Sequence, residues 1–292
     1  MPLLLPEVHE RRELERIAVD VAREAGRLVV DERPERLEVA RTKSSATDVV
    51  TVMDQRAQDL IRGRLAAARP RDGFLGEEEG GSSSSSQVTW VVDPIDGTVN
   101  YLYGIGAYAV SVAAVVGDPR VPGAWAPVAG AVVDPTNGTV FHAHAGGGAW
   151  REGQGGTRRL ELDDAPSLAQ ALAGTGFGYD AGVREWQAQV LVRVIAEVRD
   201  IRRIGSAALD LCAVADGRLD CYYERGLNPW DLAAAWLVVT EAGGIVTGLS
   251  GGPPDSAMVL AAPPGLHPQL EALVRGAVTE VDADGTTVQA AE

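Results

Sequence analysis

The hydrophobic period of this chain changes at Pro70, and that change limits its fold more than any other feature. Before it, Leu14, Ile17, Val21 and Leu28 recur at helical spacing, which predicts an amphipathic helix over residues 7–33, ending before Pro34. A second helix is predicted with Thr51 as its cap and Asp54 in its first turn; Ala57, Leu60, Ile61 and Leu65 form its buried stripe. After Pro70 the runs GFLGEEE, VTWVVDP, YAVSVAAVVG, VAGAVVDP and GTVFHAHAG are short and separated by Pro, Gly, Asn and Asp. That is the pattern of consecutive, largely antiparallel strands, so the first half is expected to lay two helices over a meandering sheet.

The serine-rich residues 80–87 read as an exposed, mobile loop between two strands. The Gly-rich residues 146–156 read as a boundary between an N-terminal part, 1–150, and a C-terminal part, 151–292, of one compact unit. Beyond it, helices are predicted over residues 183–198, after Ser206, from Asn228 and Pro229 to Gly243, and near residues 265–275. They alternate with the strand-like ALAGTGFG and GRLDCYYE, which implies a sheet covered on both faces and an α/β layered sandwich overall.

Lys plus Arg number 26 against 41 for Asp plus Glu, a net charge of −15 that repels nucleic acid and anionic membranes. No run approaches the roughly 18 apolar residues of a membrane span, and MPLLLPEVHERR is too short in apolar length for a signal peptide. A cytoplasmic protein with no nucleic-acid or membrane partner is expected, with Cys212 and Cys221 as buried thiols. An acidic protein with an anionic substrate needs metal cations to reverse the local sign.

WVVDPIDGTVNY, residues 90–101, places Asp93 and Asp96 three positions apart, which in a regular strand puts them on opposite faces. Pro94 withdraws an amide from the ladder and Gly97 permits a turn, so the strand is expected to stop at Pro94 and bend, bringing both carboxylates and the Ile95 carbonyl to one side. The amides of Gly97 and Thr98 at that turn suit a phosphate oxygen. Two close carboxylates repel unless a cation separates them or one takes a proton, and a hard divalent cation takes oxygen ligands of this kind. A surface Asp-Pro turn is the plainer reading, and VVDP at residues 132–135 is expected to be one. Glu77, Glu78 and Glu79 read either as a solvated acidic loop or as carboxylates at a strand end facing the same cleft. Asp54 and Asp231 read, taken singly, as acidic partners of helix N-termini. His142 and His144 alternate on one strand face and are expected at the surface.

Taken together, KSSATDVVTVMDQ from Lys43, GEE from Gly76, WVVDPIDGTVNY and PWDLAAAWLVVTEAGG from Pro229 resemble the successive motifs of the inositol monophosphatase family of metal-dependent phosphatases, relatives of the fructose-1,6-bisphosphatases. The resemblance implies a layered αβαβα sandwich. It implies that Glu77, Asp93 and the Ile95 carbonyl hold one Mg2+, that Asp93, Asp96 and Asp231 hold a second, and that a third lies near Glu77. Thr98 and Asp54 match the pair that activates water; Glu78 and Lys43 match supporting residues. Asp96, Ala207 in the Gly205-Ser206-Ala207 helix start, Glu224 and Asp231 match the residues around the substrate's hydroxyls, with Gly97 and Thr98 at its phosphate. Glu224 after CYY favours a compact polyol phosphate such as myo-inositol 1-phosphate, and a homodimer inhibited by Li+ is implied. Val99 stands where threonine is commoner, and GTGFGYD, residues 174–180, replaces a segment that often carries a substrate-facing serine. The rival readings are the same chemistry on histidinol phosphate, fructose 1,6-bisphosphate or 3′-phosphoadenosine phosphate, and a regulatory binding protein on this scaffold.

Overall fold

The computed structural model describes residues 3–34, 39–42, 49–78, 81–162 and 166–284, so Lys43 and Glu79 lie outside the described residues. The chain opens with α1 (Val8–Asp31), an antiparallel pair β1 (Val39–Thr42) and β2 (Val49–Thr51), and α2 (Val52–Ala68). Next come β3 (Gly73–Gly76), β4 (Val88–Asp96), the short helix α3 (Thr98–Tyr103), β5 (Ala109–Gly117), β6 (Trp125–Asp134), β7 (Thr139–His144), β8 (Ala149–Gly153) and β9 (Gly156–Leu160). Strands β3 to β9 lie side by side in chain order; β3 runs parallel to β4 and every later neighbour is antiparallel.

The second half gives β10 (Leu172–Thr175), α4 (Ala181–Val194), β11 (Asp200–Arg202), α5 (Ala207–Ala215), β12 (Cys221–Glu224), α6 (Pro229–Glu241), β13 (Ile245–Thr247), β14 (Val259–Ala262) and α7 (His267–Ala283). Its sheet has the order β11-β10-β12-β14-β13. Side-chain alternation sorts the layers. On β4 and β5, Val92, Val110, Val112 and Ala114 pack with Leu14, Ala18 and Ala22 of α1, while Val91, Ala113 and Val115 face α5 and α6. On the second sheet Tyr222, Val259 and Ala261 face α5 and α6, and Cys221, Tyr223, Leu260 and Ala262 face α4 and α7. The five layers are therefore helix, sheet, helix, sheet, helix, the expected sandwich.

Helices α5 and α6 are the middle layer, and their composition follows from that place. A helix covered on both sides is apolar all round; every residue of α5 from Ala207 to Ala215 is buried, Asp210 included. Thr51 caps α2, its hydroxyl accepting from Met53 N at 3.2 Å, and Pro229 stands in the first turn of α6, with Gly243 past its end in the left-handed region.

Several expectations change. Residues 146–156 do not divide the molecule, because β8 and β9 form a hairpin that extends the first sheet. The serine segment is exposed but tied down: Phe74 and Ser82 exchange backbone bonds of 3.0 and 2.9 Å, and Ser86 donates to Asp72 at 2.8 Å. His142 and His144 share a face, yet α1 covers it, and their Nδ1 atoms lie 2.7 and 2.6 Å from the Glu15 carboxylate. The VVDP copy at residues 132–135 is the expected hairpin turn, closed by Gly138 N on Asp134 O at 3.0 Å. Cys212 and Cys221 are free and buried, and burial pushes the Cys221 thiol up to about 12.

Candidate active site

Strand β4 does not stop at Pro94. It continues to Asp96 through an irregularity in which Asp93 pairs with Ser111 and Asp96 with Ala109. Three steps on β4 thus oppose two on β5, a bulge of one residue, and an extra residue reverses the face of everything after it. Asp93 shares the face of Val91, toward the middle helices; the bulge turns Asp96 to that face as well. Pro94, with no N–H to lose, occupies the irregular stretch. Ile95 N donates to Asp93 Oδ1 at 3.0 Å across it.

Asp96 then meets the start of α5. Its Oδ2 accepts from Ser206 Oγ at 2.6 Å and from Ala208 N at 2.7 Å, placing a carboxylate at the positive end of the helix. Asn100 fixes the approach: its Nδ2 donates to Ala107 O at 2.7 Å and Ile204 O at 2.9 Å, joining α3 to the residues ahead of Gly205 and Ser206. Gly97, between Asp96 and α3, has φ of 102°, and a Cβ there would stand 2.9 Å from Ala107 O.

Both plain readings of Asp54 and Asp231 hold, and neither exhausts the residue. Asp54 Oδ2 closes the capping box of α2 on Thr51 N at 2.8 Å, while Oδ1 lies 3.1 Å from Thr98 Oγ1. Asp231 Oδ2 accepts from Asn228 N at 2.7 Å at the start of α6. Each bond to the helix start falls on one carboxylate oxygen and fixes the direction of the other. Glu77 sits past the end of β3, its N–H bonded to Val92 O at 3.1 Å, and Glu78 N donates to Gln58 Oε1 at 2.9 Å on α2.

The electrostatics record how close these groups are. Asp93 is 1% exposed, and burial followed by the charges of Glu77, Asp96 and Asp231 holds its carboxyl well above the carboxylate range. Burial, then Glu77 and Asp96, does the same to Asp231. Burial pushes Asp96 up to about 6 against the bonds from Ser206 and Ala208, and pushes Asp54 up to about 6 against the bond from Thr51. Among the described residues no three His, Cys, Asp or Glu side chains already surround a common point. The donor set is nevertheless hard oxygen throughout, and buried like charges this near one another need protons or a cation; a divalent cation fits the residues present.

Glu224 ends β12. Tyr222 OH donates to its Oε2, and burial pushes the carboxyl up to about 7. Ala207, in the first turn of α5, lies at Asp96. The structure thus brings Asp54, Glu77, Asp93, the Ile95 carbonyl, Asp96, Thr98, Ser206, Ala207, Glu224 and Asp231 into one linked set of hydrogen bonds and interacting charges. Asp210 was missed: it is 1% exposed, and burial with the charges of Glu224 and Asp96 pushes it up to about 8. A single acid inside the otherwise apolar AALDLCAVA was the signal that could have found it.

Buried carboxylates turned to one face by a strand bulge, with a hydroxyl-carboxylate pair beside them, give this five-layer sandwich a site suited to a hard cation and an anionic substrate. The inositol monophosphatase family model matches residues 10–280, and the chain belongs to that family. It is 45% identical over 284 residues to the inositol-1-monophosphatase SuhB of Mycobacterium tuberculosis, covering 91% of this chain and 95% of that one. The crystal structure of the extragenic suppressor protein suhB of Bartonella henselae superposes with a TM-score of 0.80 at 36% identity, over 89% of this chain and 97% of the other. The Nus factor SuhB of Pseudomonas aeruginosa is 38% identical over 246 residues, 80% of this chain and 85% of its own.

Proposed function

We propose that this phosphatase is a Mg2+-dependent phosphomonoesterase that hydrolyses myo-inositol 1-phosphate and related polyol phosphates to the polyol and inorganic phosphate. The observation that carries the reading is Thr98 Oγ1 standing 3.1 Å from Asp54 Oδ1 and 3.0 Å from the Ile95 carbonyl, beside the buried carboxylates. Glu77, Asp93, the Ile95 carbonyl, Asp96 and Asp231 would hold two to three Mg2+ ions, which supply positive charge to the phosphate oxygens and acidify water. The other parts belong to the chain itself. Thr98 has one hydroxyl proton and two acceptors in reach, so its lone pairs remain to accept from a water that Asp54 deprotonates. A carboxyl near 6 is ionised at neutral pH yet basic enough to take that proton. The water oxygen attacks phosphorus, the bond to the ester oxygen breaks, and the alkoxide takes a proton from solvent beside Asp231.

The amides of Gly97 and Thr98, at the start of α3, suit a phosphate oxygen. Asp96, Ala207, Glu224 and Asp231 suit the hydroxyls of a compact polyol, and an acidic wall of this kind penalises an ester lacking them. Phosphate release from myo-inositol 1-phosphate, histidinol phosphate, fructose 1,6-bisphosphate and 3′-phosphoadenosine phosphate, each with and without Mg2+, tests the reading. The first is expected to be the best substrate; a best substrate without a polyol would sink the specificity. A regulatory role finds support in the name of the Pseudomonas aeruginosa relative. The presence together of Asp54, Thr98, Glu77, Asp93, Asp96 and Asp231 favours catalysis.

A further inference from the structure

The segment GTGFGYD carries no serine, and its place in the fold gives one of its glycines a part to play. Strands β10 and β12 run parallel, with Gly174 beside Tyr222 and Thr175 beside Tyr223. One step further, Gly176 lies against Glu224. A Cβ on Gly176 would stand 2.0 Å from Glu224 Oε2 and 2.2 Å from both Cδ and Oε1, so the carboxylate rests directly on the glycine backbone. Tyr222 OH donates to the same Oε2, and Tyr222 is itself fully buried. The carboxylate therefore has a backbone seat on one side and a donor on the other, and it lies close enough to Asp96 and Asp231 for their charges to interact.

We propose that Gly176 is a specificity-determining residue: by carrying no side chain it gives the Glu224 carboxylate the seat from which, held by Tyr222, that carboxylate selects substrates bearing a hydroxyl. The proposal rests on the phosphatase reading above and concerns the alcohol side of the site alone. Gly176 is not in the left-handed region, so alanine meets no backbone penalty there. What must give way is the end of a flexible side chain, Glu224, since its carboxylate is the atom group in the way. The Thr98 and Asp54 pair stands at the other end of the ester and keeps its geometry.

The test is steady-state kinetics of wild type, Gly176→Ala and Tyr222→Phe at saturating Mg2+ on two substrates, myo-inositol 1-phosphate and p-nitrophenyl phosphate, whose alcohol has no ring hydroxyls. In both variants KM for the inositol ester is expected to rise about tenfold or more, the worth of one hydrogen bond to a charged group, while kcat/KM on the nitrophenyl ester stays within about twofold. Equal losses on both substrates, or no change on either, would overturn the proposal. Tyr222→Phe removes the hydroxyl alone and keeps the ring in place, so it carries the same test if Gly176→Ala does not fold. Wild-type protein that hydrolyses neither ester would overturn the phosphatase reading and this proposal with it; active wild type with indiscriminate variants would overturn this proposal alone.

Discussion

Thr98 and Asp54 are 44 residues apart in sequence and 3.1 Å apart in space, and the capping box of α2 is what aims one at the other. Asp54 spends Oδ2 on Thr51 N and Thr51 Oγ1, at 2.8 and 2.5 Å, and directs Oδ1 to the hydroxyl. The side chain that closes the capping box on Thr51 is also the proposed base.

Asp54→Asn keeps an oxygen for the cap but no base. It is expected to lower kcat by about 100-fold or more while costing no more than about 1 kcal/mol of stability. Phosphate-release kinetics beside a denaturant titration check both, and a variant that loses stability and activity in step would assign Asp54 to the cap alone.

Ser206 caps α5 and donates to Asp96 at 2.6 Å. Ser206→Ala is expected to cost about 1 kcal/mol through the cap. It also removes a bond that favours ionised Asp96, so the Mg2+ concentration for half-maximal activity should rise several-fold. A Mg2+ titration of activity that superimposes on wild type would contradict this.

Asp210 supplies a pH dependence unconnected with the water-activating pair. Its folded pKa of about 8 lies above the ordinary aspartate value, so the folded state holds a proton that the unfolded state has released. Its contribution to stability is complete below pH 4 and is lost as pH rises toward 8. Asp210→Asn keeps the shape and has no proton to lose. Urea midpoints measured with chelator from pH 5 to 8.5 should fall less steeply for this variant than for wild type; parallel slopes would remove Asp210 from the account.

Much of this was legible in the sequence. The caps Thr51, Ser206 and Asn228 and the change of period at Pro70 located α2, α5, α6 and the first sheet, because these signals are local. The bulge was not, since register depends on what Ser111 and Ala109 do on the neighbouring strand. Pro94 and Gly97 marked a bend without saying that it lay inside the ladder. Residues 146–156 misled because a glycine-rich hairpin and a glycine-rich linker have the same composition. Gly176 has meaning only beside Glu224, 48 positions away by 224 − 176, through a parallel register that no local pattern carries. His142 and His144 showed their common face but not that Glu15 covers it.

The central claim is that the carboxylates gathered by the β4 bulge make phosphate-ester hydrolysis depend on Mg2+. Phosphate release from myo-inositol 1-phosphate, measured across a Mg2+ titration for wild type and Asp93→Asn, tests it most directly. Wild type should require Mg2+, and Asp93→Asn, with its melting transition intact, should lose activity by about 1,000-fold or more at every Mg2+ concentration. Substantial turnover by folded Asp93→Asn at saturating Mg2+, or wild-type turnover indifferent to the metal, would contradict the account.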